Sequence, residues 1–232
     1  MSIEKIAKYL AGCGIASRRK SEEFVKRGLV FVNGKKMADV AKRIDPETDT
    51  VEFNGQVIRP KKLVYYLLNK PLGCVSTTKD AHAKKLVTDL VPKNPLVWPV
   101  GRLDKNTEGL MILTNDGALT QKLTHPKYEM EKEYLVSVNT PLSYDEIKKI
   151  KAGIALEDGF INPDYWGELK GGFYKIILHS GKKRIIRRII EKVGHRVIKL
   201  KRVRIDSLAL DHLRPGCWRS LTNSEIASLL KN

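Results

Sequence analysis

Short apolar runs separated by glycine and proline turns make up most of this chain. In the first 58 residues, apolar positions recur at helical spacing over 3–12, and Ser17 is placed to cap a second helix that ends at Gly28. Two strand-like runs follow, and Asn-Gly turns at 33–34 and 54–55 interrupt them, which is typical of β-hairpins. Residues 1–58 are therefore predicted to form two helices packed on a small, hairpin-rich sheet.

A proline-containing basic linker at 59–63 leads into a longer second part over 64–232. Apolar or alternating runs in that part predict strands near 64–70, 109–114, 132–138, 173–179 and 196–205. Helical spacing and capping residues predict helices that begin after Asp116, after Ser143, at 185 and after Thr222 or Asn223. The predicted class is α+β, on a mixed but mostly antiparallel sheet.

Charge changes the picture most. The chain has 43 Lys and Arg residues against 26 Asp and Glu residues, which gives a formal net charge of +17. A folded protein this basic is expected to bind a polyanion, most often a nucleic acid, although a merely solvated basic surface is the alternative. In the first part of the chain the basic residues cluster on the predicted second helix: Arg18, Arg19 and Lys20 follow its cap, Ser17, and Lys26 and Arg27 lie at its end. Because helix N-termini with added Arg and Lys suit phosphate groups, this cluster is predicted to bind RNA.

Several classes of protein are disfavoured by what the sequence lacks. No apolar run is long enough to span a bilayer, and no signal peptide opens the chain, so no membrane partner is expected. The three cysteines are odd in number and far apart, which fits a reducing cytoplasm. Histidine and cysteine spacings match no metal motif, so neither a metal nor a cofactor is predicted.

The stretch PVGRLDKNTEGLMILTNDG, at 99–117, has a carboxylate on each side of an apolar strand. Asp116 is interpreted as the cap of the following helix. Asp104 precedes the strand, and an isolated aspartate in such a place is usually only a turn residue. A buried strand would nevertheless give Asp104 the rigid support that a catalytic group needs.

A resemblance to a known family gives Asp104 a role. The segments YYLLNKPLG, VGRLDKNTEGLMILTNDG, EKEYLV and KKRIIRRI occur in the order and approximate spacing of the RsuA-type ribosomal RNA pseudouridine synthases. This resemblance covers residues 64 to about 230. The segment SRRKSEEFVKRGLVFVNGK resembles the S-four-type RNA-binding domain, so the second part is expected to be a pseudouridine synthase catalytic domain.

The resemblance implies an enzyme that isomerises uridine to pseudouridine in RNA without a cofactor or metal. It assigns Asp104 as the essential catalytic residue, Tyr134 as the ring that stacks on the target base, and Arg187 as the partner of the aspartate. Arg102 and Lys132 are assigned to substrate binding, where they could contact flanking RNA or support the loop. The basic motif adds two predicted RNA-binding residues, Arg184 and Arg188. The motif departs from the family at Ile185, where a glutamine is usual, and at 206–207, where a glycine is often seen.

The residues leave several alternatives open. A carboxylate at position 104 could act as a nucleophile or as a base. The expected partner is ribosomal RNA of either subunit, recognised by a cytoplasmic monomer, and the sequence does not name the uridine. A non-catalytic RNA-binding or ribosome-assembly factor of the same fold, or a tRNA-modifying enzyme, remains an alternative function.

Overall fold

A computed structural model describes residues 3–78, 80 and 83–231. Contacts divide the chain into two compact units, 1–64 with 94–96 and 65–93 with 97–232. The N-terminal unit has one apolar core, and the second unit has two.

The N-terminal unit combines two helices with short strands. Its elements are β1 (Glu4–Lys5), α1 (Ile6–Gly12), α2 (Arg18–Lys26), β2 (Val30–Val32), β3 (Lys35–Met37), β4 (Arg43–Ile44), β5 (Val51–Phe53) and β6 (Gln56–Val57). Four strands form one sheet in the order β3-β2-β5-β6, and β1 pairs with β4. The predicted cap is confirmed, because the Ser17 side chain accepts a hydrogen bond from the Lys20 amide. Both predicted hairpin turns are confirmed as well, with positive φ at Asn33 and Asn54.

The second unit contains eleven strands and four α-helices within the described residues. Its strands are β7 (Tyr65–Lys70), β8 (Trp98–Pro99), β9 (Glu108–Thr114), β10 (Lys132–Val138), β11 (Ile154–Leu156), β12 (Gly159–Ile161), β13 (Tyr165–Leu169), β14 (Phe173–Leu178), β15 (Val197–Ile205), β16 (Leu208–Ala209) and β17 (Trp218–Ser220). Its helices are α3 (Gly117–Thr124), α4 (Tyr144–Ala152), α5 (Ile185–Lys192) and α6 (Asn223–Lys231), with 3-10 turns at Val87–Leu90 and Pro126–Tyr128.

Nine of these strands form one sheet, in the order β13-β14-β10-β15-β9-β7-β17, with β8 beside β9 and β16 beside β15. The pairing of β9 with β15 is parallel, and the other named strand pairs are antiparallel. The structure therefore confirms the predicted α+β class and the mostly antiparallel mixed sheet.

Two apolar cores pack against this sheet. The first places α5 against the face of β10 and β14 that carries Val136 and Ile176. The second places α3 and α6 against the face of β7 and β9 that carries Leu67 and Ile112. Helices thus cover the sheet unevenly, and the motif that contains Asp104 lies where β9 enters the centre of the sheet.

Candidate active site

Asp104 lies half-buried in the loop that precedes β9. Its own carbonyl accepts a hydrogen bond from the Thr107 amide at 3.0 Å, which closes a tight turn. Next to it, the buried hydroxyl of Ser76 donates to the Leu103 carbonyl at 2.6 Å and accepts from the Leu103 amide at 3.1 Å. A side chain from another segment thus fixes the backbone directly before Asp104.

Lys70, at the end of β7, holds the same loop from inside the protein. Its side chain is fully buried, and its ammonium donates to four backbone carbonyls. The acceptors and N···O distances are Pro71 at 3.2 Å, Asp104 at 3.1 Å, Lys105 at 3.4 Å and Thr107 at 2.7 Å. Burial lowers the pKa of Lys70 to about 8, although the negative charge of Asp104 opposes that shift.

Arg187 anchors the loop from α5. Its guanidinium is buried and donates to the carbonyl of Asn106 at 2.6 Å and to that of Val197 at 3.3 Å. In the described chain no direct ion pair joins Arg187 to Asp104, but the Asp104 carboxylate is close enough to influence the pKa of the arginine. Burial lowers the pKa of Arg187, and the charge of Asp104 opposes that shift. The arginine expected as the partner of the aspartate therefore lies near it and binds the loop backbone two residues further on.

Tyr134 and Lys132 lie on β10, on the same side of that strand. Tyr134 is half-buried and pairs in register with Arg202 of β15. The Lys132 ammonium donates to the Met130 carbonyl at 2.8 Å and to the His179 carbonyl at 3.2 Å. Burial, together with the charge of Arg202, lowers the pKa of Lys132 to about 8.

Arg202 is the register neighbour of Tyr134 and contacts β9, the strand that follows the Asp104 loop. Its side chain is buried, and its Nε donates to the Leu110 carbonyl on β9 at 2.9 Å. Among the described residues, one terminal nitrogen of Arg202, Nη2, is buried without a hydrogen-bond partner.

The other predicted residues of this unit lie at or near the surface. Arg102 is exposed in the loop before Asp104. Arg184 is exposed at the start of α5, with its guanidinium 3.5 Å from the Glu191 carboxylate. Arg188 instead forms a bidentate ion pair with Asp158, at 2.8 and 3.1 Å. A phosphate would have to compete with that carboxylate for Arg188.

The predicted RNA-binding residues of the N-terminal unit form an exposed set on α2 and its ends. They are Ser17, Arg18, Arg19, Lys20, Lys26 and Arg27. Lys20 also contacts the Glu23 carboxylate and lies over the Phe24 ring at 5.5 Å. The site on the second unit and this basic helix belong to different units of the chain.

Sequence reasoning missed Lys70, Ser76 and Arg202. Lysine and arginine are rarely fully buried, so a residue pattern gives no reason to place them inside. For the lysine and the arginine, the available signal is a position in line with buried strand residues. Lys70 ends the run YYLLNK, and Arg202 stands two residues after the inward-facing Leu200.

Residues 3–78, 80 and 83–231 contain neither a metal-binding cluster nor a candidate membrane span. There, no group of three or more His, Cys, Asp or Glu side chains is placed to hold a metal ion. His82, one of the histidines considered in the sequence, lies outside the described residues. In the same part of the chain, no helix has the length and apolar character needed to cross a membrane.

Comparison with known proteins gives two family matches and several similar chains. The RNA pseudouridylate synthase family model matches residues 64–192, and the S4 domain model matches residues 4–51. An uncharacterized RNA pseudouridine synthase of Aquifex aeolicus is 40% identical, covering 98% of this chain and 94% of the relative. The ribosomal large subunit pseudouridine synthase B of Bacillus subtilis is 38% identical over 98% of this chain and 96% of its own length.

Two further matches agree with these. The dual-specificity RNA pseudouridine synthase RluF of Escherichia coli is 38% identical over 98% of this chain and 78% of its own length. A crystal structure of a pseudouridylate synthase superposes with a TM-score of 0.71 and 27% identity, covering 98% of this chain and all of that one.

Proposed function

This chain belongs to the RNA pseudouridylate synthase family and is therefore an RNA isomerase with an S4 domain, and we propose that it converts a specific uridine of ribosomal RNA to pseudouridine with Asp104 as its catalytic residue. Isomerisation breaks the bond between N1 of uracil and C1′ of the ribose and forms a bond from C5 to C1′. The C5 proton leaves and N1 gains a proton, so no atom is gained or lost overall.

The observation that supports Asp104 is the number of buried groups that fix its loop. Lys70 binds the carbonyl of Asp104 itself, Ser76 binds the residue before it, and Arg187 binds a residue just after it. A reacting carboxylate must be held within a fraction of an ångström of its productive position. Because these contacts all go to the backbone, they fix the loop and leave the carboxylate oxygens available for the substrate.

The proposal gives the neighbouring side chains supporting roles. The Tyr134 ring stacks on the uracil of the target nucleotide, an interaction worth about 1–3 kcal/mol per base. Arg187 positions the loop and contributes positive charge beside the carboxylate. Lys132 and Arg102 bind the substrate backbone. Lys132 is the first residue of β10, and Arg102 is exposed in the loop before Asp104.

The target base must leave its stack to reach such a site, which costs a few kcal/mol. Basic contacts to the flanking phosphates can offset that cost. For this we propose the exposed residues of α2, Arg18, Arg19, Lys20, Lys26 and Arg27, with the cap Ser17, and the basic motif of the second unit through Arg184 and Arg188. Among these residues RNA binding is least well supported for Arg188, because its guanidinium is already paired with Asp158.

The names of the relatives support ribosomal RNA as the substrate class. The Bacillus relative is named for the large ribosomal subunit, and the Escherichia relative is named as having dual specificity. We therefore propose a large-subunit rRNA uridine as the first candidate, modified by a monomer in the cytoplasm during ribosome biogenesis.

The experiment that tests the proposal compares RNA from cells with and without the gene by a pseudouridine-specific chemical stop assay. A stop in rRNA that disappears in the deletion and returns with the wild-type gene supports the proposal. A stop that disappears from tRNA instead would change the substrate class. If every stop is retained, the proposal of a ribosomal RNA uridine as the substrate is wrong.

A further inference from the structure

Among the described residues of the second unit, no helix packs into an apolar core on one face of β13, β14, β10 and β15. Side chains of β10 alternate between the two faces, so Tyr134 and Val136 face α5 while Leu135 and Ser137 face away from it. In the described chain, Leu135, Phe173 and Ile177 belong to none of the three apolar cores. This face is named the open sheet face below.

Aromatic, apolar and basic side chains, each at least partly exposed, line this face. Register pairs place them side by side on β13, β14 and β15: Tyr165, Leu169, Phe173, Lys175, Lys199 and Lys201. Tyr165 is 48% exposed and Leu169 is 40% exposed. Soluble proteins rarely leave apolar side chains clustered on a surface without a partner.

Tyr165 has the geometry of a stacking platform. Its ring lies over Gly167, two residues along β13, where a Cβ would meet the ring atoms. Because glycine leaves that space open, the ring lies along the strand, and the residue is still exposed. The Lys175 ammonium lies 5.8 Å from the centre of the same ring.

A cavity of about 310 Å³ opens at one end of the open sheet face. Phe173, Ser137 and Lys199 line it, and they are register neighbours on three adjacent strands. Small-molecule sites begin at about this volume, so the cavity can hold one planar base. An aromatic wall, a hydroxyl and a lysine are the groups that base and phosphate recognition use.

The charge of this face suits an anion. Its carboxylate Glu133 is already paired with Lys175 at 3.1 Å and with Arg204 at 3.1 Å. A second carboxylate, Glu108, is the register neighbour of Lys201, but the two side chains form no ion pair in the described chain. Among the described residues, neither Lys199 nor Lys201 forms an ion pair with a carboxylate, so both ammonium groups remain available for phosphates.

We propose that the open sheet face binds a single-stranded segment of the RNA, on the side of the sheet opposite Tyr134. Three strand spacings of about 4.8 Å separate β13 from β15, which gives about 14 Å, room for two or three stacked nucleotides. Tyr165 and Phe173 stack on bases, and Lys199 and Lys201 bind phosphates. The inference rests on the proposed function only in taking RNA as the polymer.

The first test measures binding of the full chain to a mixed-sequence single-stranded RNA. Tyr165→Ala should weaken this binding about tenfold, within the range measured for removal of one base stack. Replacing Lys199 and Lys201 together by Ser should lower the slope of log K against log salt by about 1.4 units, since each phosphate bound on a single strand contributes about 0.7.

Matched control variants come from α4. Tyr144 is an aromatic residue that is 80% exposed, and Lys148 and Lys149 are exposed lysines. Tyr144→Ala and the double Ser variant of the two lysines remove the same groups elsewhere and should leave affinity and slope unchanged. Equal losses of affinity in the control and sheet-face variants would overturn the proposal, because the losses would then not depend on where the tyrosine and the lysines lie.

A second measurement identifies the contact directly. Crosslinking with 4-thiouridine-substituted RNA should attach the RNA to peptides from 165–175, and crosslinks found only elsewhere would overturn the proposal. If Tyr165→Ala abolishes a dimer in sedimentation and leaves RNA binding unchanged, the face binds a second copy instead. The proposed function is tested separately, because isomerisation of a stem-loop without a single-stranded flank should be normal in the sheet-face variants.

Discussion

Asp104 is held through its backbone, so its charge can be removed without removing its support. Asp104→Asn keeps the size of the side chain and leaves the bonds from Lys70 and Thr107 to the carbonyl in place. We expect isomerisation to fall at least about a thousandfold, as for other single catalytic groups, with RNA affinity and melting temperature nearly unchanged. Single-turnover assays on a defined rRNA fragment, a binding titration and a melting curve measure the three quantities.

Asp116→Asn is the control for this change. The Asp116 side chain caps α3 by accepting from the Ala118 and Leu119 amides, and it also accepts from the Tyr65 hydroxyl. Loss of its charge should cost at most about 1 kcal/mol of stability and leave turnover intact. Substantial turnover in a well-folded Asp104→Asn variant would instead point to another acid or to a non-catalytic protein.

Substitutions at Tyr134 can distinguish a role in stacking from a role in proton transfer, because only the ring is needed to hold a base. Tyr134→Phe keeps the ring and should bind RNA normally, and any fall in its turnover would assign a proton-transfer role to the hydroxyl. Tyr134→Ala should reduce turnover, because the base is then positioned poorly. The free energy lost should be about the 1–3 kcal/mol that one stack contributes. If a folded Ala variant is as active as wild type in the same single-turnover assay, the residue is structural only.

Lys70 gives a pH dependence of stability whose sign is fixed by its burial. Its pKa is about 8 in the folded chain, against about 10.4 for an unperturbed lysine. Between these values the unfolded state binds more protons, so the stability of the folded state should rise with pH, by up to about 1.4 kcal/mol per unit. Below pH 8 both states are protonated and this dependence vanishes.

The measurement compares urea unfolding of wild type and Lys70→Met at pH values from 7 to 10. The difference in the free energy of unfolding, wild type minus variant, should be constant up to about pH 8 and then increase in favour of wild type. A flat difference over the whole range would mean that Lys70 has an ordinary pKa. The same variant should lose turnover at pH 7, because the carbonyls around the Asp104 loop no longer share a common donor.

The sequence could predict the residues of this site only where a motif carried them. Asp104, Tyr134 and Arg187 were expected from their motifs, and their catalytic roles stay predictions. Lys70 could not be found, because burying a lysine depends on carbonyls from a loop more than thirty residues away. The contacts of Arg187 with the Asn106 and Val197 carbonyls likewise depend on how α5 packs beside the loop.

At the scale of elements, the parallel contact of β9 with β15 depends on Gly109. Its φ is +109°, and a Cβ there would meet the backbone of Arg202. Gly109→Ala should therefore force the two strands apart at the point where the Asp104 loop joins the sheet. We expect a loss of at least about 3 kcal/mol in the free energy of unfolding, because both backbone strain and a backbone clash oppose the methyl group.

Gly117→Ala is the matched control, at the first residue of α3. A Cβ there meets nothing within 4 Å, and its φ is not in the left-handed region. Alanine at such a position usually stabilises a protein by about 0.4–1 kcal/mol. Chemical denaturation of the two variants gives both values, and equal stabilities would mean that β15 yields to the added methyl group at little cost.

Elements with local signals could be predicted, and elements without them could not. The caps Ser17, Asp116 and Ser143 were predicted correctly from their residue types, and the last helix is capped by Thr222, whose hydroxyl accepts from the Glu225 amide. Short strands such as β11, β12 and β17 were missed, because three residues are too few to show a period. The parallel pairing of β9 with β15 joins residues about ninety positions apart, which no local pattern encodes.

At the scale of the whole molecule, the charge of +17 predicted a polyanion but not where it binds. Residues exposed on α2 and residues exposed on α4 contribute equally to net charge, and only contact with phosphate distinguishes them. The triple variant Arg18→Ala, Arg19→Ala and Lys20→Ala tests α2. Its matched control replaces the exposed lysines of α4 by alanine at 148, 149 and 151, so both variants have a net charge of +14.

If α2 contacts the RNA backbone, the α2 triple variant should bind rRNA more weakly and with a flatter salt dependence. The slope of log K against log salt should fall by about one unit or slightly less for each phosphate that the variant no longer binds, whereas the α4 control should keep the wild-type slope. Turnover at saturating RNA should be unchanged in both, because neither variant alters the Asp104 loop. Equal slopes in the two variants would mean that the positive charge acts as a diffuse field, which steers RNA to the protein without a binding site on α2.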